Sequence, residues 1–299
     1  MKKGKILEIV LLSLAATLVI FTAVVLIKLF SGYEVYSDIK YADADECVMD
    51  IYIPKSAYGR EKNGAVLFIH GGSWSGGDKS EETARCRLLA SHGYIVANIN
   101  YTLWSEDDAD EYNASVVMDE IDMALNKLNE FGAERGLTVD RAATAGYSAG
   151  AHLAMLYAYS RADTAPLDIL FTANMAGPAD MSYEVWGEEL SITITNLLSG
   201  ENVTRDMLYS GEAEEFISSI SPVSFVNCGS VPTLIMHGGR DNVVPIANAE
   251  NLIKRLAECS VRHDFIYMNR SSHALIENPI GRLRYLKSLV GYCKEYFGY

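Results

Sequence analysis

The chain has 299 residues, 49% of them hydrophobic, and a formal net charge of −14 at pH 7. That length allows one large domain or two small ones, with enough apolar material for a substantial core. The acidic balance argues against nucleic acid and against peripheral binding to anionic lipid, and no basic cluster interleaved with aromatic residues offsets it.

The N-terminus reads as a separate module. Lys2, Lys3 and Lys5 precede Ile9 to Ile27, nineteen residues without a charge. At about 1.5 Å per residue, a helix over that run spans the roughly 30 Å hydrocarbon core. A cleavable signal peptide has a shorter apolar region, about 7–15 residues, and ends at a small-x-small site. Leu26 to Ser31 offers no such site. The expectation is an uncleaved anchor over residues 1–30, crossing the membrane through residues 9–27, ahead of a body over residues 31–299. Lysines before the run outnumber the single Lys28 after it. This places the N-terminus in the cytoplasm and the body outside.

From Val35 onward the elements follow in order. Tyr36 to Lys40 and Cys47 to Ile53 read as an antiparallel opening pair, the second alternating through Met49-Asp50-Ile51-Tyr52-Ile53. Residues 65–70 form a short apolar run, as expected of a strand buried on both faces. A helix over 81–92, a strand over 94–100, a helix over 113–131, a strand over 141–146, a helix over 149–160 and a strand over 168–175 come next. Such alternation predicts an α/β fold, with a mainly parallel sheet and helices on both faces. Residues 181–220 interrupt it. They are polar and mixed, and predict a small helical insertion over the site. The alternation resumes at Val231, with helical character from Ala247 to Leu256 and a strand from Asp264 to Met268. The five cysteines, Cys47, Cys86, Cys228, Cys259 and Cys293, show neither disulfide nor metal-site spacing and read as isolated, mostly buried thiols. The acidic run Glu106 to Glu111 has no histidine near it and reads as a solvated loop.

Chemistry concentrates at the ends of the parallel strands. Gly146-Tyr147-Ser148-Ala149-Gly150 fits a G-x-S-x-G turn between a strand and a helix, which exposes a serine hydroxyl. The apolar run 65–69 ends in His70-Gly71-Gly72-Ser73-Trp74. Glycines there free backbone amides to face a developing oxyanion. The expected donors are Ala149, directly after the serine, with Gly71 and Gly72. Asp241 follows a strand-like run, and His273 follows the next one. Ser148, Asp241 and His273 thus stand in the order Ser, Asp, His, each just past a strand, at the edge where open α/β sheets place ligands. Asp180 is the rival acid but sits one strand too early. His70 and His237 stand beside glycines and read as turn-shaping. His152 lies one turn beyond Ser148 on the same helix, His92 lies at a helix end, and His263 enters a strand.

These motifs resemble the α/β-hydrolase superfamily, in particular its small esterase/acetylhydrolase branch. That branch includes acetyl-xylan and feruloyl esterase-like proteins, kynurenine-formamidase-like proteins and relatives of hormone-sensitive lipase. The matching residues are His70 to Trp74, Gly76-Gly77-Asp78-Lys79, Tyr101, Gly146 to Leu153, Ser221 to Ser224, His237 to Asp241 with Val244-Pro245, and His273. The likeness covers roughly residues 35–297. Ser73 stands where many relatives carry a third glycine, which leaves open whether the Gly72 or the Ser73 amide completes the oxyanion hole.

The resemblance implies acyl transfer from a short acyl ester, small or glycan-linked, with Ser148 as nucleophile, His273 as base and Asp241 orienting it. It implies no metal and no cofactor. Trp74, Tyr147 and Trp186 are the expected pocket residues. The larger apolar residues of the insertion, Trp186, Leu190, Leu197, Leu198, Leu208 and Phe216, are scattered. Most of them are expected to fasten it to the body. Arylformamidase or peptidase chemistry on the same fold, or an inactive membrane-anchored binding protein, are the alternatives. The sequence leaves the oligomeric state open.

Overall fold

The computed structural model describes residues 11, 13–20, 31–107 and 112–299. Eight strands form one sheet in the order β1-β2-β4-β3-β5-β6-β7-β8. They are β1 (Tyr33–Lys40), β2 (Val48–Pro54), β3 (Asn63–Ile69), β4 (Ile95–Ile99), β5 (Val139–Tyr147), β6 (Asp168–Met175), β7 (Thr233–Gly238) and β8 (His263–Met268). β1 pairs antiparallel with β2, and β2 antiparallel with β4. Every later pairing is parallel. The chain therefore has the α/β architecture with a mainly parallel sheet that the alternation predicts.

The period of two along a strand sets the layers. In β3, Leu67 and Ile69 face one core while Val66 and Phe68 face another, and all four are fully buried. The first core is built with α2 (Ala114–Ala133) and α3 (Ala149–Ser160). The second is built with α1 (Thr83–Ser91) and a C-terminal helix, Pro279–Phe297. Full burial of a Leu, Val or Phe side chain is worth about 1.5–3 kcal/mol, so the two layers hold the sheet against both helix sets. A third apolar cluster packs α3 against the helix Ala247–Glu258.

The helix Pro279–Phe297 is not among the elements expected from the sequence, yet its signals are present. Asn278 accepts from the Gly281 amide as N-cap, Pro279 opens the helix, and Gly298 ends it in the left-handed conformation. Tyr285, Leu289, Tyr292, Cys293 and Phe297 supply the buried stripe. Tyrosine in place of aliphatic residues hid that periodicity.

Between β6 and β7 the cover has four helices, Tyr183–Trp186, α4 (Glu188–Ser199), Arg205–Ser210 and Glu214–Ser219, and a fifth short helix, Pro222–Phe225, follows it. The cover's two ends are joined where the Met181 amide donates to Ser221 Oγ at 3.0 Å. Leu198 and Leu208 are buried beneath this cover, and Phe216 packs against Leu208's cluster. The five cysteines are free thiols, four of them buried. Cys228 is the exposed one, and Cys259 Sγ donates to the Val226 carbonyl at 3.8 Å, so the thiols are free and mostly buried, as the sequence suggested.

Most of the expected membrane-spanning run, and residues 108–111 of the acidic loop, lie outside the described residues. Residues 13–20 are helical, with Leu14, Leu18, Val19 and Ile20 exposed. Among the described residues, no helix is long and apolar enough to cross a membrane.

Candidate active site

Ser148 ends β5 and caps α3, with φ 53° and ψ −122°. For a non-glycine residue that backbone conformation costs on the order of 1–3 kcal/mol, so the surroundings must impose it. The Ser148 amide donates to the Met175 carbonyl at 2.9 Å, tying the turn to β6. The glycines on either side are required by contact. A Cβ on Gly146 would lie 2.3 Å from the Gly150 carbonyl carbon, and one on Gly150 would lie 2.1 Å from the Ile69 carbonyl oxygen. α3 begins against the end of β3, so Ser148 and the loop after β3 are held side by side. α3 is buried from Ala149 through Tyr159, as its small and apolar residues dictate.

The structure brings the three separated strand ends together. His273 Nε2 lies 2.9 Å from Ser148 Oγ. His273 Nδ1 lies 2.7 Å from Asp241 Oδ2. The Val243 and Val244 amides donate to Asp241 Oδ1, each at 2.9 Å. Burial of Asp241 pulls its carboxyl pKa up, but the hydrogen bond from His273 and the two amides outweigh burial and leave it below the ordinary value. A carboxylate so held fixes the imidazole with Nδ1 protonated and Nε2 free to accept the serine proton.

Asp180, the rival acid, is occupied elsewhere. Its Oδ2 accepts from Asn251 at 2.7 Å and its Oδ1 from the Ser182 amide at 3.0 Å. His237 is fully buried, donates from Nε2 to the Val244 carbonyl at 3.0 Å, and lies 3.6 Å from Asp241 Oδ2. Burial lowers its pKa, so it stands as a neutral support of the loop that carries the acid. His70 shapes its turn as expected, donating from Nδ1 to the Gly71 carbonyl at 2.6 Å and stacking on Tyr101.

The loop after β3 lies against the serine. A Cβ on Gly71 would sit 3.2 Å from Ser148 Cβ. The amides of Gly71, Gly72, Ser73 and Ala149 make no hydrogen bond with another group among the described residues. Gly72, Ser73 and Trp74 all take positive φ, which turns this stretch of backbone back on itself. Lys79 anchors its exit, pairing with Asp50 at 2.7 Å and Asp38 at 3.0 Å.

A cavity of about 330 Å³ opens on Ser148 and Ala149. Its walls are Trp74, Trp104 and Trp186, with Pro178, Leu190, Ile194, Leu197, Val243 and Val244. All three tryptophans of the chain are here. A second depression, about 640 Å³, shares Trp104, Thr193 and Leu197 with it. Trp186, Leu190 and Leu197 line the cavity, while Trp186, Leu197, Leu198, Leu208 and Phe216 pack in apolar clusters, so most of the cover's apolar set fastens it, as the sequence-based expectation has it. Trp186 does both, donating from Nε1 to the Asp180 carbonyl at 2.7 Å. Tyr147 is not in this wall. Its ring lies 5.2 Å from that of His273, and its hydroxyl donates to the His273 carbonyl at 3.0 Å. Trp104 is missing from the sequence-based pocket. Its one signal is its place three residues after Tyr101, past the end of β4.

Comparison with known proteins agrees with this architecture. A truncated carbohydrate esterase from gut microbiota superposes with a TM-score of 0.72 at 18% identity, covering 90% of this chain and 98% of that one. Esterase LipQ of Mycobacterium tuberculosis is 28% identical over 228 residues, 71% of this chain and 50% of the relative. Non-reducing polyketide synthase Preu6 of Preussia isomera is 23% identical over 280 residues, 75% of this chain and 13% of the synthase. The chain therefore spans half of one relative and a small part of the other. The BD-FAE family model matches residues 49–256, which hold the loop after β3, Ser148 and Asp241, and the chain belongs to that family.

Proposed function

We propose that the chain is a serine carboxylic-ester hydrolase acting on short acyl esters through an acyl-enzyme. The observation that carries the reading is the unbroken contact from Ser148 Oγ through His273 to Asp241 at the mouth of an apolar cavity. His273 takes the Ser148 proton as the hydroxyl attacks the ester carbonyl, and Asp241 stabilises the resulting imidazolium. The amides of Ala149, Gly71 and either Gly72 or Ser73 receive the oxyanion. His273 then protonates the leaving alcohol, and water repeats the sequence on the acyl-enzyme.

The cavity volume supports a short acyl group. At about 330 Å³ it stands at the small end of the roughly 300–1,000 Å³ typical of ligand sites. The adjoining depression leaves room for a larger alcohol, such as one carried on a glycan. Residues 9–27 hold the enzyme to a membrane in this reading, with the hydrolase body outside the cytoplasm.

The test is hydrolysis of p-nitrophenyl esters from acetate to laurate by wild type and Ser148→Ala. Wild type should show the highest kcat/KM between acetate and butyrate, and Ser148→Ala should lose roughly 10⁴-fold or more in kcat. A folded Ser148→Ala that keeps a tenth of wild-type turnover rules out this nucleophile. A steady rise of kcat/KM through laurate rules out the short-acyl assignment.

A further inference from the structure

Three buried polar groups form a chain that no step of the ester chemistry uses. Trp74 Nε1 donates to His152 Nδ1 at 3.1 Å, with the two rings edge to face. His152 Nε2 donates in turn to the Ile220 carbonyl at 2.8 Å. The members come from three parts of the fold. Trp74 ends the loop that lies against Ser148. His152 stands one turn into α3, and its amide donates to the Ser148 carbonyl at 3.0 Å. Ile220 closes the helical cover, next to Ser221, which receives the Met181 amide where the cover begins.

The chemistry of the pair selects one state of the imidazole. An indole N–H can only donate, so Nδ1 must present its lone pair and Nε2 must carry the proton. A charged ring would point a second N–H at the indole. His152 is fully buried, and burial pulls its pKa down to about 4, which keeps it neutral. The loop it touches needs such a tie. Ser73 and Trp74 hold φ of 52° and 60°, a conformation that side-chain-bearing residues avoid unless the surroundings impose it.

We propose that His152 is a positioning residue that binds the oxyanion loop, through Trp74, to the exit of the cover, through Ile220. One side chain then sets both the loop against Ser148 and the roof of the cavity. The inference rests on the reading of Ser148 as nucleophile. It predicts that breaking the chain harms the transition state more than substrate binding, because the loop amides matter most once the oxyanion forms.

The experiment compares His152→Leu, His152→Gln, Trp74→Phe and the double variant Trp74→Phe/His152→Leu, with Ser148→Ala alongside. Gln can accept from the indole and donate to Ile220; Leu can do neither. His152→Leu should lower kcat at least tenfold on p-nitrophenyl acetate with KM within about threefold, and should slow trapping by an aryl phosphonate in parallel. His152→Gln should recover most of both. The double variant should lose no more kcat than the worse single variant. Equal kcat in the Leu and Gln variants, with only their melting temperatures lowered, makes His152 a packing residue and overturns the proposal. Losses that multiply in the double variant overturn it as well. Should His152→Leu fail to fold, Trp74→Phe against His152→Gln decides: Trp74→Phe must lose kcat and His152→Gln must not. Ser148→Ala separates the two readings, because its retained activity sinks the nucleophile and its loss with normal His152 variants sinks only the inference.

Discussion

Gly150→Ala tests the claim that α3 must touch the end of β3. The new Cβ would lie 2.1 Å from the Ile69 carbonyl oxygen and 2.3 Å from that of His70. Both are backbone atoms, so no side chain can swing aside. Ordinary contact begins at 3.4 Å, so the helix start and the β3 end must part by about 1.3 Å, the difference between 3.4 and 2.1. A misplacement of about 1 Å at a reacting group can cost on the order of 10²-fold. Overpacking of this kind costs about 1–3 kcal/mol, occasionally more. The expected result is a variant with native far-UV circular dichroism, a lower melting temperature, and kcat/KM on p-nitrophenyl acetate reduced about 100-fold. Gly291→Ala is the control: that position is exposed, within the last helix, and an added Cβ there meets nothing within 4 Å. It should gain roughly 0.5–1 kcal/mol and leave kcat/KM unchanged. A folded Gly150→Ala with near wild-type kcat/KM refutes the idea that this contact registers Ser148 against the oxyanion loop.

The remaining expectations concern the acid, a buried histidine and the N-terminus. Asp241→Asn should lower kcat about 10³–10⁴-fold, whereas Asp180→Asn and His237→Gln, if folded, should keep far more activity; the reverse pattern in steady-state assays would transfer the acid to Asp180. Because burial lowers the His152 pKa to about 4 from 6.5, the unfolded chain takes up the extra proton between those values. Its contribution is whole above pH 6.5 and is lost as pH falls toward 4; at about 1.36 kcal/mol per unit this is roughly 3 kcal/mol. Urea unfolding across that window should show the loss in wild type and much less of it in His152→Gln. Full-length protein should sediment with membranes, and protease added outside intact cells should digest the body; protection until lysis would reverse the proposed orientation.

Much of the site is legible in the sequence because its signals are local. A serine between close-packed glycines, a glycine pair after an apolar run, and an acid and a histidine each past a strand are all set by a few neighbouring residues. Once the alternation implies a parallel sheet, those strand ends must share one edge. That is why Ser148, Asp241 and His273 could be named before their contacts were seen. Other features depend on residues far apart in the chain. Tyr147, expected in the pocket, turns toward the His273 loop 126 residues away. Trp104 and Val243 carry no motif, and become cavity walls only because β4, β7 and the cover converge on one side of Ser148. His152 reads in the sequence as one more residue of the helix after the serine. Its neutral state and its two hydrogen bonds follow from burial between a loop 78 residues before it and a carbonyl 68 residues after it. The sequence by itself determined which chemistry-bearing side chains stand at the strand ends, because local backbone geometry dictates it. The tertiary structure decided the walls, and which buried polar groups meet, because packing between distant segments leaves no periodic trace in any one of them.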